Sequence, residues 1–112
     1  MSYDVTLLNP KTKEPIPGMS WNYTWNLSKF FQKFGVHPYQ HMQGKQASEV
    51  LAMIDLAFMQ MARVKFEHLR VEFEPPKGED GDIWGTVDGA IDFLLGIQQG
   101  CRAYLRAVVR AD

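Results

Sequence analysis

The chain has 112 residues, of which 46% are hydrophobic and 22% charged, with a formal net charge of -1, the size and balance of one globular domain over residues 1–112 that can bury a core without staples. A single cysteine, Cys101, excludes a disulfide framework and any zinc site built from paired thiolates. No run of about 18 apolar residues and no basic, apolar leader is present, and there is no basic excess to displace counterions from phosphates; membrane spanning, secretion and direct nucleic-acid binding are therefore disfavoured, and the expected compartment is the cytoplasm.

Residues 3–8 are rich in strand formers and stop at Asn9-Pro10, where proline removes a ladder donor. Pro10, Pro15, Pro17 and Gly18 make residues 10–19 read as a loop. From residue 20 to 28 the pattern alternates strictly, with Trp21, Tyr23, Trp25 and Leu27 on one side and Asn22, Thr24 and Asn26 on the other, the clearest strand signal in the chain. Ser28 can cap a short helix through Phe30, Phe31 and Phe34, closed by Gly35. Ala47, Leu51, Ile54, Phe58 and Met61 recur at helical intervals and predict one long helix over residues 46–69. Residues 71–74 alternate before Pro75-Pro76 and read as a short strand, the alternative being the helix end. After a polar loop at 77–82, Asp82 or Thr86 can cap a last helix running to about Arg110. The expected fold is α+β, with a small antiparallel sheet packed against two long helices and one short helix.

Gly85, Gly89, Gly96 and Gly100 fall on one flank of that last helix, and each glycine inside it costs roughly 1 kcal/mol against alanine. Close approach of another backbone would compensate, either the long helix of the same chain or the same helix of a second copy. On the second option Gly89, Gly96 and Gly100 are the packing face of a homodimer.

Charge is unevenly spread. Residues 71–92 hold seven acids against one base, Lys77, so Glu72, Glu74, Glu79, Asp80, Asp82 and Asp88 are candidate partner-binding residues on an acidic surface. Arg102, Arg106 and Arg110 stand four apart near the chain end, where cations also suit a helix C-terminus without any ligand. Trp21 and Trp25 could stack a base or sugar, with Arg102 and Arg106 holding an anion beside them; the ordinary alternative is that the aromatic face is core. His37 and His41 have a spacing compatible with a metal, but Pro38 interrupts it and no further ligand adjoins in sequence. Asp82, Asp88 and Asp92 are expected near a helix start for electrostatic reasons alone. No cofactor or metal site is assigned, and neither a phosphate loop nor a nucleophile elbow supports catalysis.

Tyr3-Asp4-Val5-Thr6-Leu7, the run Asn22-Tyr23-Thr24-Trp25-Asn26-Leu27-Ser28, and Trp84-Gly85-Thr86 ahead of Ala90, Phe93 and Leu94 resemble small bacteriophage and prophage proteins with a DVxLxxPxTxE opening and an NxTYNY-like strand before a short aromatic helix. Trp25 stands where that pattern has tyrosine, and a glycine-rich insertion seen in some relatives is missing between residues 18 and 20. The resemblance implies a phage-type origin, in the cytoplasm of a host bacterium, and assigns no site. The expected function is that of a non-enzymatic accessory protein docking on a protein partner, such as a basic host nucleic-acid-binding protein, through its acidic surface; inhibition of host defence is the role such a resemblance suggests. The alternative is a binding protein for a nucleotide or signalling molecule, using Trp21, Trp25, Arg102 and Arg106.

Overall fold

The computed structural model of the chain describes residues 2–74 and 85–112. Strand β1 (Ser2–Leu8) lies at the centre of a three-stranded antiparallel sheet, with β2 (Pro15–Thr24) on one side and β3 (Val108–Ala111) on the other. Helices α1 (Ser28–Lys33), α2 (Ala47–Met61), α3 (Phe66–Phe73) and α4 (Val87–Ala103) complete the α+β fold. Among the described residues, no helix is long and apolar enough to cross a membrane.

The register explains the sheet's two faces. Tyr3 pairs with Tyr23 and Val5 with Trp21, so both β2 rings share the face of the fully buried Val5 and Leu7, under the helices. On the opposite face Asn22 donates to Asp4 at 2.7 Å and the hydroxyls of Thr6 and Ser20 meet at 2.9 Å. The aromatic strand therefore faces the core as far as Tyr23. Trp25 does not continue it, because Thr24 caps a single turn over Trp25–Leu27 that leads into α1.

Strand β2 begins five residues earlier than its alternation suggests, at Pro15. An edge strand tolerates Pro15 and Pro17 because a missing N–H facing away from the ladder is not lost from it. An irregularity between the Thr6–Ser20 and Leu8–Pro15 pairs absorbs the extra residues, with Gly18 at φ +77°.

The expected long helix is two helices. Ala47, Val50, Ile54, Ala57 and Met61 form a buried stripe along α2, but continuing it would carry Lys65 and His68 toward the core. Instead the last turn tightens, with Arg63 and Val64 donating three residues back to Gln60 and Met61, and α3 restarts at Phe66 with Leu69 buried. Residues 71–73 belong to α3 and are not a strand. Phe66, Leu69 and Phe73 share its inner side, with Phe73 against Phe30 at 5.5 Å, while Val71 is 87% exposed. The short alternation at 71–74 is where a helical period happens to mimic a two-residue one.

Helix α4 starts as expected, with the Thr86 hydroxyl accepting from the Gly89 N–H at 3.0 Å. It stops at Ala103, short of the expected end near Arg110, because β1 has an open edge. Val108, Val109 and Ala111, β-formers or small residues, pair with it and complete the sheet. The third strand is thus the C-terminal segment.

The glycine flank of α4 faces β2 of the same chain. A Cβ on Gly96 would lie 2.6 Å from Trp21 Nε1, one on Gly100 2.3 Å from Trp21 Cη2, and one on Gly89 2.7 Å from the Tyr23 hydroxyl oxygen. Close approach is real, but the partner is a pair of aromatic rings. This corrects the expectation that backbone, or a second copy, covers Gly89, Gly96 and Gly100. Gly100→Ala should destabilise the protein by about 1–3 kcal/mol through overpacking. In a Trp21→Ala background the same change should stabilise by up to about 1 kcal/mol, the helix-propensity gain. Urea unfolding of the double-mutant cycle checks both signs.

Candidate functional site

One hollow lies where the β1–β2 turn faces the α4–β3 connection. It is a groove of about 530 Å³, bordered by Ile16, Tyr104, Leu105, Arg102, Arg106 and Glu14. Both walls are fixed by hydrogen bonds. On one side Asn9 closes the turn, its side-chain oxygen accepting from the N–H groups of Lys11 at 2.9 Å and Thr12 at 3.2 Å. On the other, the carbonyls of Leu105 and Ala107 accept from the N–H groups of Ser48 and Ala47 at 3.0 and 2.8 Å, which satisfies orphan donors at the start of α2 and pins the segment carrying Arg106.

The two arginines differ. Arg102 lies in the last turn of α4, where the helix dipole favours a cation, and stands 3.9 Å from Asp55, a carboxylate already accepting from Gln98 at 2.6 Å. Arg106 is beyond the helix, exposed, and has no ion-pair partner among the described residues. Arg110 is on β3 and pairs with Asp112 at 3.1 Å. The expected stripe on one helix face is therefore not formed, though Arg102 and Arg106 still meet in one groove. Sequence spacing brought them together for the wrong reason, since the chain turns between them.

The aromatic half of the expected ligand site lies elsewhere. Trp21 is covered by α4, and Trp25 lines a second hollow of about 350 Å³ at the opposite end of the sheet with Tyr3, Ser28, Gln32, His37 and Tyr39. Trp21, Trp25, Arg102 and Arg106 therefore do not form a common pocket. Tyr39 and Gln32 were not legible as site residues, having neither periodic nor charge signal.

In that second hollow His37 is buried. Its Nδ1 accepts from the Gln40 N–H at 3.3 Å, and its Nε2 lies 3.0 Å from both the Tyr3 and Ser28 hydroxyl oxygens. Ser28, expected as a helix cap, instead turns its hydroxyl to this ring. The neutral ring must carry its proton on Nε2, because Nδ1 is occupied as an acceptor. Ser28 and His37 are thus no nucleophile–base pair, the nitrogen facing the hydroxyl having no free lone pair. His41 Nδ1 accepts from the His37 N–H at 2.9 Å, so both histidines serve as turn-forming groups. Among the described residues, no cluster of His, Cys, Asp and Glu could hold a metal ion.

Of the acidic residues, Glu72 pairs with Lys33 at 3.2 Å and Asp88 with Arg70 at 2.9 Å, while Glu74 accepts from the Val87 N–H at 3.0 Å at the start of α4. Glu72 and Asp88 are thus paired with cations of the same chain, which weakens the field expected from them, and Glu74 is engaged by a neutral N–H. Glu79, Asp80 and Asp82 lie outside the described residues. Cys101 is buried, and burial pushes its thiol up to about 12, which makes it a core residue. Compared with protein-family models, curated proteins and solved structures, the chain matches none.

Burial, reinforced by His41, holds His37 below the ordinary histidine value of 6.5. The unfolded chain therefore takes up this proton first as pH falls. The contribution of His37 to stability is complete above 6.5 and is lost as pH drops from there through the folded-state value. Urea midpoints at about pH 7.5 and about pH 5 should show this loss in the wild type and a smaller one in His37→Gln.

Proposed function

We propose that this protein is a non-enzymatic binding protein whose ligand is a small amphipathic anion held in the groove between the β1–β2 turn and the α4–β3 connection. The observation that carries the reading is Arg106, a guanidinium without an ion-pair partner among the described residues, on a segment pinned by α2 and beside an apolar wall of Ile16 and Leu105. Glu14 partly offsets the arginines, and the carbonyl end of α4 disfavours an anion close to the helix. The charged group is therefore assigned to Arg106 and the apolar body to Ile16, Tyr104 and Leu105. A groove of about 530 Å³ falls within the usual range of small-ligand sites.

Docking of a protein partner through the acidic segment, in a phage-type accessory role, is the lesser proposal. With Glu72, Glu74 and Asp88 engaged inside the chain, its support comes from the residue types of Glu79, Asp80 and Asp82 alone.

Phenyl phosphate and benzoate are suitable probes of the groove. Titration followed by heteronuclear NMR should give saturable shifts at Ile16, Leu105 and Arg106 with at least one of them. Arg106→Ser should weaken binding about 10- to 100-fold, the loss of one charge-assisted hydrogen bond, without altering the unfolding midpoint. Shifts absent at millimolar probe, or unaffected by Arg106→Ser, would remove the reading.

A further inference from the structure

The hollow at the other end of the sheet has a hydrogen-bonding imbalance. His37 Nε2–H, Tyr3 O–H and Ser28 O–H bring three protons, but the cluster offers only two oxygens to receive them, since Nδ1 already accepts from the Gln40 N–H. At most two protons are used internally, as when Nε2–H donates to Ser28 and Ser28 to Tyr3. One hydroxyl proton is left over, and no protein acceptor for it is found in hydrogen-bond range among the described residues. Tyr3 is 2% exposed and His37 5%, Ser28 is partly buried, and all three line the hollow, so the surplus donor is presented to the hollow. A buried donor of this kind is costly unless something accepts from it.

The remaining walls define what that something is. Trp25 and Tyr39, 37% and 39% exposed, stand with ring centroids 6.3 Å apart and planes at 88°. One ring can stack on a flat ligand while the other meets its edge, and a sandwich between the two is not possible. Gln32 and Gln40 add amide donors and acceptors at the rim. Among the described residues no carboxylate, lysine or arginine borders the hollow, and burial favours the neutral form of His37, so a charged ligand would be desolvated without a counter-ion. The volume, about 350 Å³, is at the small end of ligand sites.

We infer that this hollow binds a neutral heteroaromatic base of the kind carried by a nucleoside, stacked on Trp25 or Tyr39, with a ring nitrogen or carbonyl accepting the surplus proton of the Tyr3–Ser28–His37 cluster. A sugar face could also stack on one ring, but its hydroxyls bring a donor with every acceptor, and the cluster lacks only an acceptor. The site is separate from the Arg106 groove and the inference does not depend on it.

The test is an NMR titration of the full chain with adenosine, guanosine, cytidine and uridine, and in parallel with glucose and tetramethylammonium. At least one nucleoside should give saturable shifts at the Trp25 indole, Ser28 and Tyr39 that outrank those from glucose and the ammonium ion. Trp25→Ala should abolish them. Gln32→Ala, on the exposed side of α1, should weaken binding, and keeps the test valid if Trp25→Ala does not fold. No shift at millimolar nucleoside, stronger binding of glucose or tetramethylammonium, or shifts unchanged in the Trp25 and Gln32 variants would overturn the inference.

Discussion

The contact between the rings of β2 and the glycine flank of α4 organises this molecule. Trp21 lies where Cβ atoms on Gly96 and Gly100 would be, and Tyr23 where one on Gly89 would be. The Tyr23 hydroxyl also donates to the Thr86 carbonyl at 2.7 Å and accepts from its N–H, so the same residue that packs on the helix fixes its first turn. A helix glycine costs about 1 kcal/mol, whereas burying a large apolar side chain contributes about 1.5–3 kcal/mol. The exchange favours glycine only while the rings remain in place, and the identities on the two elements depend on each other.

Anchoring α4 in this way sets the two hollows. The helix spans about 25 Å at 1.5 Å per residue, along the edge strand β2. Its last turn delivers Arg102, and the connection beyond delivers Arg106, beside the turn at one end of the sheet. Its first turn sits by Tyr23 and Thr24, next to the turn that carries Trp25 into the aromatic hollow. One end offers cations and an apolar wall. The other offers rings and neutral polar groups. The chemistry is divided between them because β2 runs from one to the other, and its aromatic residues leave the core face only once the strand has ended.

Legibility in the sequence followed the range of the physics involved. The alternation from residue 20, the Phe30–Phe31–Phe34 helix with Gly35 at φ +70°, the Thr86 cap and the helical period of α2 are local patterns, and each was readable, although Val50 and Ala57 are the fully buried members on α2 where Leu51 and Phe58 were expected. The break after Met61, the helical state of residues 71–73 and the third strand at Val108–Ala111 were not, because a competing long-range contact outweighed the local period in each case. Val108 and Val109 continue an apolar helix pattern on paper, yet an open edge of β1 offers them a ladder. Of the site residues, Arg102 and Arg106 were legible by type and spacing. Tyr39 and the proton relationship among Tyr3, Ser28 and His37 depend on residues up to 34 positions apart, and no single-sequence signal joins them.

By itself the sequence determined what each segment can bury: which faces are apolar, where α1, α2 and α4 start, and that four glycines on one flank require something close against them. Those properties are set by side-chain type and by periods of two and 3.6 residues, which need no knowledge of neighbours. Only the tertiary structure decided what fills the glycine flank, which carboxylates are engaged by Lys33, Arg70 and the Val87 N–H, and which aromatic stays out of the core. Those outcomes are set by which surfaces meet, and two residues distant in the chain acquire a common environment only when the packing of the whole domain brings them together.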